Sequence, residues 1–353
     1  MVSTLSAMFP PSPSFTEKDL PSLVGEVFII TGAASGVGFE LAKILYVAGG
    51  TIYVAARSAT RCEGAIEKIK DQTRGKKAEG VLKPMILDLA DLRTIKRAVE
   101  DFQRQETRLD VLVNNAGVMN TPVGSKGTQV RYALSSKVSV TMTTDETVLQ
   151  GHDLEMATNC VGPYLLTRLL EPILIQTAAS SPRFSVRVVF VVALMQLFSP
   201  ATAMEFYSNG TPKVLPGDGY MKSQPGDNYM QTKIGGTWLA AEFANRLGSK
   251  EILSVSVHPG LMRTELQRNM TVTARVSMKL LFRGPVYGAY SELFAAFSPK
   301  LTAENNGGYV LAWGRIAELP KYITDGLKSK SEGGTGGAKM FMNYCERETR
   351  RYQ

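Results

Sequence analysis

Two kinds of segment alternate along the chain, and this alternation constrains the fold more than any other feature. Short apolar segments typical of strands occur at 26–31, 51–57, 84–89, 109–117, 186–193, 252–260 and 307–314. Segments with the apolar spacing of amphipathic helices lie between most of them. Strands that alternate with helices form βαβ units, whose parallel sheet is covered by helices on both faces. The sequence therefore predicts an α/β fold, a doubly wound parallel sheet of about seven strands.

The chain has 353 residues, which fits one such domain with additions better than two domains. We assign the domain to 23–314, between an N-terminal extension at 1–22 and a C-terminal extension at 315–353. A polar, Ser/Thr-rich insertion at about 120–150 is either a functional flap or a passive insertion. The glycine-rich segment 331–339 is expected to be a flexible linker before a last short helix.

Composition excludes several classes of protein. The chain is 44% hydrophobic and 20% charged, which is ordinary for a globular domain and excludes wholesale disorder. The 40 basic and 32 acidic residues give a net charge of +8, and no basic segment is dense enough to indicate nucleic acid binding. No stretch of 18 apolar residues occurs, so we expect no integral membrane segment. The N-terminus is unlike a signal peptide, and we expect a cytoplasmic protein.

Metal and disulfide chemistry are not indicated by the sequence. Cys62, Cys160 and Cys345 are widely spaced, so neither a disulfide framework nor a zinc site is expected. His152 and His258 are the only histidines, which excludes a histidine-rich metal site. The chemistry must come from other side chains.

The segment Thr31 to Gly38 (TGAASGVG) lies where the first predicted strand turns into the first predicted helix. Glycines there let the backbone approach a pyrophosphate, whose charge faces the helix N-terminus. A turn that serves packing alone is the alternative, but the flanking strand and helix favour a dinucleotide site. The residues expected to contact the cofactor are Thr31, Gly32, Ser35, Gly36, Val37 and Gly38.

Arg57 ends the second predicted strand, nineteen residues after Gly38. A site for NAD usually carries an acidic residue there, which accepts a hydrogen bond from the ribose 2′-hydroxyl. A guanidinium instead favours a 2′-phosphate, with help from Ser35, Ser58 and Arg61. We therefore predict NADP(H) rather than NAD(H), the alternative being an ordinary solvated arginine.

Further polar residues follow the third and fourth predicted strands, at the edge where open α/β sheets bind ligands. Asp88, next to Leu89, is placed to accept a hydrogen bond from the adenine amino group. Asn115, Ala116 and Gly117 end the fourth strand beside the expected cofactor cleft.

Tyr229 and Lys233 are four residues apart, which makes them neighbours on one face of a helix. A phenol has a pKa of about 10, and a nearby cation lowers that pKa toward neutrality, where a general acid or base is most effective. The pair lies in the predicted helix after the fifth strand, so we expect a catalytic pair rather than a surface pair.

These motifs together resemble those of the classical short-chain dehydrogenase/reductase family. They occur in the family's order over residues 23 to about 314: TGAASGVG, Asp88, NNAG at 114–117, Asn159, YMQTK at 229–233, and HPG at 258–260 followed by Thr264. The resemblance implies a Rossmann fold and a nicotinamide cofactor. The segments FTEKDLPSLVGEVFIITG and NNGGYVLAWGRI further resemble the fungal retinol-dehydrogenase-like branch, whose members often serve secondary metabolism.

The resemblance also implies roles for the catalytic residues. Tyr229 would exchange a proton with the substrate while hydride passes between the nicotinamide and a carbonyl or alcohol carbon. Lys233 would hold the nicotinamide ribose and lower the pKa of Tyr229, and Asn159 would support a water relay.

The stretch after the sixth predicted strand is matched to the nicotinamide end of the cofactor by the same resemblance. Pro259, Gly260 and Thr264 correspond to the residues that flank the nicotinamide carboxamide. His258 receives no catalytic part and is interpreted as a strand-end residue.

The sequence departs from the family at the end of the fifth strand. The family places there a Ser that hydrogen-bonds the substrate oxygen, whereas this chain has Ala193. Loss of one such donor costs about 2.7 to 4 kcal/mol of transition-state stabilisation. Ser199 or Gln196 could replace the donor, although neither belongs to the strand.

The substrate pocket is expected in the loops at about 195–228 and 261–300, which follow the fifth and sixth strands. Both loops are apolar and rich in Met, which suits a hydrophobic substrate. The candidate pocket residues are Ala193, Met195, Phe198 and Met262.

Three functions are consistent with this pattern. The first is an NADP(H)-dependent oxidoreductase that interconverts a ketone or aldehyde and an alcohol on a hydrophobic small molecule. The second is a non-redox enzyme of the same fold, and the third is a non-catalytic pathway partner. The retained Tyr229, Lys233 and Asn159 argue against the third. The resemblance implies a homodimer or homotetramer unless the C-terminal segment blocks the interface.

Overall fold

The computed structural model describes residues 10–76, 80–119, 121, 153–199, 203–213, 228–266 and 282–353. Of the predicted insertion at about 120–150, only Thr121 belongs to these described residues. Parts of the two predicted substrate loops, 200–202, 214–227 and 267–281, also lie outside them.

A mixed sheet forms the centre of the described structure. Its strands are β1 (Val27–Thr31), β2 (Thr51–Ala56), β3 (Val81–Ile86), β4 (Val111–Asn114), β5 (Arg187–Val191), β6 (Leu253–Val257), β7 (Tyr309–Leu311) and β8 (Arg315–Ala317). They lie in the order β3-β2-β1-β4-β5-β6-β7-β8, and every pair except β7–β8 is parallel. The predicted α/β fold with a doubly wound sheet is confirmed.

The described sheet has eight strands, one more than the seven segments predicted as strands. β8 pairs antiparallel with β7, with Tyr309 opposite Ala317. The turn between them uses Trp313 at φ 67° and Gly314 at φ 86°, both in the left-handed region. β8 has only three residues and no apolar alternation of its own, so the sequence pattern did not predict it. It begins at Arg315, so the sheet continues past the predicted domain end at 314.

Helices cover both faces of the sheet. They are α1 (Gly36–Val47), α2 (Ala59–Gln72), α3 (Leu92–Gln103), α4 (Gly162–Ala178), α5 (Asn228–Leu247), α6 (Pro285–Phe297), α7 (Lys321–Leu327) and α8 (Gly337–Thr349). One apolar core joins the sheet to α1, α2 and α6, and a second joins it to α3, α4, α5 and α8. All residues of β1 and β6 are buried, as expected for strands covered on both sides.

α6 lies inside the predicted substrate loop at about 261–300 but packs against α1 and the central strands. Gly288 allows this contact, since a Cβ there would lie 2.7 Å from Val37 Cγ2. Arg187, at the start of β5, donates to the carbonyls of Ala295 and Ser298 at 3.0 Å and so fixes the end of α6. Much of this predicted loop is therefore core.

The segment beyond β8 packs against α5. Gly326 and Gly337 lie on the Trp238 ring, where a Cβ would come within 2.3 Å and 2.8 Å of ring atoms, respectively. The Tyr164 hydroxyl on α4 donates to the Glu346 carboxylate on α8. Of the stretch predicted as a linker, 331–339, only 333–336 connect two elements, a 3₁₀ helix (Lys330–Glu332) and α8, which begins at Gly337.

Candidate active site

A pocket of about 460 Å³ opens at the carboxyl ends of the parallel strands. Residues that follow β1, β2, β3, β4, β5 and β6 line it. It lies where the strand order reverses, between β1 and β4, which is the usual ligand position in open α/β sheets. The topology therefore brings together residues that are far apart in the sequence.

The glycine-rich turn between β1 and α1 forms one wall of the pocket. Of the six residues predicted to contact a cofactor there, all but Gly38 line the pocket: Thr31, Gly32, Ser35, Gly36 and Val37. Gly32 has φ 70°, and a Cβ on it would lie 2.9 Å from the Cα of Ala116. Gly38 serves packing instead, because its Cβ would lie 2.5 Å from Asn115 Nδ2.

Residues after β3 and β4 form the next part of the wall: Asp88, Leu89, Asn115, Ala116 and Gly117. Asn115 Nδ2 donates to the Thr31 carbonyl at 2.7 Å, and the Ala116 N–H donates to Thr31 Oγ1 at 3.0 Å. These bonds hold the end of β4 against the end of β1. Asp88 Oδ1 accepts from the Ala90 N–H at 3.0 Å, which fixes the orientation of its carboxylate.

Arg57 follows β2, is exposed and lines the pocket, whereas Ser58 does not line it. The Ser58 hydroxyl instead caps α2, accepting from the Arg61 N–H at 3.4 Å. Arg61 lies one helical turn further on and reaches the pocket wall. Of the four side chains predicted to bind a 2′-phosphate, Ser35, Arg57 and Arg61 therefore line the pocket, and Ser58 does not.

Tyr229 and Lys233 lie on α5, and both line the pocket while being 4% and 6% exposed, respectively. Lys233 Nζ is 5.4 Å from the Tyr229 ring centroid and donates to the Val191 carbonyl at 3.1 Å. Burial lowers the pKa of Lys233 to about 8, although the nearby Cys160 thiol and Glu155 carboxyl group oppose that shift. The ammonium is thus held beside the phenol by a carbonyl at the end of β5.

Asn159 lies behind the pocket wall rather than on it. It belongs to a π-helical turn (Ala157–Val161) directly before α4, a feature often found at functional sites. Its Oδ1 accepts from the Val118 N–H at 2.9 Å, and its Nδ2 donates to Thr232 Oγ1 at 3.0 Å. A Cβ on Gly117 would lie 3.2 Å from Asn159 Oδ1 and 3.4 Å from Lys233 Nζ. Asn159 therefore links the end of β4 to α5.

The stretch after β6 brings Pro259, Gly260 and Thr264 to the pocket wall. Ser291 Oγ on α6 donates to the Pro259 carbonyl at 3.1 Å and fixes this turn. His258 also lines the pocket, and its Nδ1 accepts from the Gly260 N–H at 3.2 Å. Burial lowers the pKa of His258 to about 3, so the ring is neutral at physiological pH.

The wall after β5 is apolar. Ala193, Met195 and Met262 line the pocket, while the Phe198 side chain lies outside the described part of the structure. The two suggested substitutes for the missing hydroxyl do not line it. Gln196 Oε1 accepts from Thr237 Oγ1 at 2.7 Å, which holds its amide away from the pocket.

Several pocket residues were not singled out from the sequence: Thr121, Leu154, Thr158, Glu265 and Leu266. Thr158 is next to Asn159, and Glu265 is next to Thr264, so proximity to a recognised motif could have indicated both. Leu154 carried no such signal.

Within the described ranges, no helix is long and apolar enough to cross a membrane. The same residues contain no group of three or more His, Cys, Asp or Glu side chains arranged to hold a metal ion.

Comparison with known proteins identifies the family. The model of the family described as short chain dehydrogenase matches residues 26–208. The chain belongs to the short-chain dehydrogenase/reductase family. A short-chain dehydrogenase/reductase of Phomopsis amygdali is 36% identical over 351 residues, and one of Pestalotiopsis fici is 37% identical over 349 residues. Each alignment covers 98% of this chain and 96% of the relative.

Solved structures share the short-chain dehydrogenase/reductase fold. A 3-ketoacyl-(acyl-carrier-protein) reductase of Brucella melitensis complexed with NADH has a TM-score of 0.54 at 22% identity, covering 82% of this chain and 96% of that chain. The Pseudomonas aeruginosa RhlG/NADP active-site complex has a TM-score of 0.54 at 20% identity, covering 82% of this chain and 95% of that chain.

Proposed function

We propose that the protein is an NADP(H)-dependent oxidoreductase that interconverts a ketone or aldehyde and an alcohol on a hydrophobic small molecule. The observation that carries the proposal is that Tyr229 and Lys233 line the same pocket as the glycine-rich turn between β1 and α1. A proton-transferring pair therefore faces the space beside a dinucleotide-binding turn. The names of the curated relatives and the cofactors in the solved structures support the same function.

The pocket residues fit a nicotinamide dinucleotide. Side chains at Gly32 or Gly36 would fill the space above the turn, since a Cβ on Gly36 would lie 3.3 Å from Thr264 Cγ2. The glycines leave the N-terminus of α1 open to a diphosphate. The residues that would hold the cofactor are Thr31, Gly32, Ser35, Gly36, Val37, Asp88, Leu89, Asn115, Ala116, Gly117, Pro259, Gly260 and Thr264.

The bound nicotinamide would supply or accept the hydride. During reduction, Tyr229 donates its phenolic proton to the substrate oxygen, and during oxidation it takes a proton back. The Lys233 ammonium, held by the Val191 carbonyl, stabilises the phenolate that forms when the proton leaves. Asn159 acts as a positioning residue, because its hydrogen bonds join the segment after β4 to α5.

The preference for NADP(H) rests on Arg57, which lines the pocket after β2 where NAD enzymes usually carry an acid. A guanidinium binds a phosphate through paired N–H donors and does not lose its charge at physiological pH.

The apolar wall after β5 favours a second candidate function. Val191, Val192, Ala193 and Leu194 offer no side-chain donor to a substrate oxygen. An isomerase, dehydratase or cyclase that uses Tyr229 for proton transfer alone does not need that donor.

The wider setting also belongs to the proposal. The sequence resemblance to the fungal retinol-dehydrogenase-like branch, together with relatives from fungi, supports a role in fungal secondary metabolism. A cytoplasmic location and a homodimer or homotetramer remain predictions.

The reaction is tested by mixing the protein with NADPH and a panel of hydrophobic ketones. NADPH absorbance should fall with turnover, and Ala193→Ser should raise the rate by up to about 10²–10³-fold, because it restores a donor. Ala193→Gly adds no donor and serves as the matched control. Turnover of a confirmed substrate that continues without NADPH would overturn the redox proposal and support the second candidate.

A further inference from the structure

A carboxylate from the loop after β6 lies between two donors of the pocket wall. Glu265 Oε2 is 3.3 Å from Ser35 Oγ and 3.2 Å from Arg61 Nη2. The three residues line the pocket on the side that also carries Arg57. One carboxylate oxygen therefore accepts hydrogen bonds from both a hydroxyl and a guanidinium that were expected to help bind a phosphate.

Backbone contacts fix the loop that carries Glu265. The Arg263 N–H donates to the Arg283 carbonyl, and the Arg283 N–H donates to the Leu261 carbonyl, both at 2.9 Å. On the other side, Thr264 packs against the glycine-rich turn, because a Cβ on Gly36 would lie 3.3 Å from Thr264 Cγ2. These contacts fix the backbone of the loop that carries the Glu265 side chain.

Carboxylate and phosphate compete for the same donors and repel each other. Two guanidinium groups lie on this wall. Arg61 is paired with Glu265, whereas Arg57 forms no ion pair with a carboxylate in the described structure. A cofactor that carries a 2′-phosphate must displace the Glu265 carboxylate or bind beside it. A cofactor with a 2′-hydroxyl escapes this repulsion, and a hydroxyl can donate to a carboxylate.

We propose that Glu265 is a cofactor-specificity residue that weakens binding of the 2′-phosphorylated cofactor by occupying Ser35 and Arg61. The degree of preference for NADP(H) then results from Arg57 and Arg61 acting against Glu265. This inference rests on the proposed nicotinamide-dinucleotide site.

Calorimetric titration with NADPH and with NADH tests the proposal. Glu265→Gln should lower the Kd for NADPH about two- to fivefold, the range expected for an exposed ion pair, and should leave the Kd for NADH unchanged or raised. In an Arg61→Met background, Glu265→Gln should lower the Kd for NADPH by a smaller factor. Added salt should reduce the effect, because both side chains are exposed.

Glu304→Gln is the matched control, since it removes the same charge from an exposed position off the pocket wall. An equal gain in NADPH affinity from Glu304→Gln, or equal gains for both cofactors from Glu265→Gln, would overturn the inference while leaving the proposed function intact. Failure of the unmodified protein to bind either cofactor would overturn the proposed function, and the inference with it.

Discussion

Lys233 and Glu292 are two buried ionisable side chains near the pocket, and burial shifts the pKa of each. Neither forms a salt bridge among the described residues, and each is at most 6% exposed. Lys233 has a hydrogen-bond acceptor in the Val191 carbonyl, whereas both oxygens of Glu292 lack a hydrogen-bond partner in the described structure. Burial lowers the pKa of Lys233 and raises the pKa of Glu292 well above its ordinary value. Burial therefore favours the protonated form of the Glu292 carboxyl in the folded protein.

Glu292→Gln should make the protein's stability less dependent on pH. Above the ordinary carboxyl pKa of 4.5, the unfolded chain loses the Glu292 proton while the folded protein keeps it, so stability falls as pH rises until the raised folded pKa is reached. The free energy of unfolding of Glu292→Gln, relative to the unmodified protein, should rise by about 1.4 kcal/mol per pH unit in that window. Urea unfolding at several pH values between about 5 and 7 measures it.

Glu304→Gln, on an exposed 3₁₀ turn, is the matched control for this experiment and should show no such trend. Parallel pH profiles for Glu292→Gln and the unmodified protein would show that the carboxyl ionises equally in both states, contrary to this account.

Arg57 gives a second prediction at the residue scale. The unmodified protein should bind NADPH with a lower Kd than NADH, because a guanidinium after β2 favours a 2′-phosphate. Arg57→Asp should narrow or reverse the difference, as an acid there accepts from a 2′-hydroxyl. Equilibrium titration checks both, and equal Kd values before mutation would contradict the NADP(H) assignment.

At the scale of elements, the strand and helix periodicity predicted β1, β2, β4, β5 and β6 and the helices between them. β3 was expected at 84–89 but occupies Val81–Ile86. The expected range begins at Pro84, whose nitrogen cannot donate to a neighbouring strand. At the sheet edge this loss is tolerated, and β3 is an edge strand. A proline inside a strand is typical of an edge strand, but the order of the strands is a property of the whole sheet.

The packing of α7 and α8 against α5 could not be predicted from the sequence either, because glycines usually indicate loops. Here Gly326 and Gly337 are small enough to let the chain rest on Trp238. Because neither glycine has a side chain, each leaves room for the Trp238 ring. For Gly326 this partner lies 88 positions earlier in the chain, so the local sequence does not predict the contact.

Gly326→Ala should destabilise the protein by about 1–3 kcal/mol, because the added Cβ would lie 2.3 Å from Trp238 Cζ2. Gly64→Ala, in the interior of α2 with nothing within 4 Å of its Cβ, is the matched control. It should stabilise by up to about 1 kcal/mol through helix propensity. Denaturant unfolding of both variants measures the difference, and equal stability of the two would show that α7 does not pack on α5 in this way.

At the scale of the molecule, the sequence located the pocket because most of its motifs directly follow strands. A parallel sheet brings those strand ends to one edge, so Thr31, Asp88, Asn115 and Pro259 had to converge once the fold was known. Glu265 could not be assigned in this way. Its contact with Arg61 joins residues 204 positions apart, and it depends on how the loop after β6 crosses the glycine-rich turn.

Transfer of deuterium from NADPH labelled on the transferable C4 position of the nicotinamide tests the central claim most directly. The unmodified protein, given a ketone that it reduces, should place one deuterium on the carbinol carbon of the alcohol, as measured by mass spectrometry. Tyr229→Phe removes the proton donor and should slow label transfer by about 10²–10⁴-fold while cofactor binding persists. Product that forms at the full rate without deuterium, or label transfer that is unchanged in Tyr229→Phe, would contradict hydride transfer assisted by Tyr229 in this pocket.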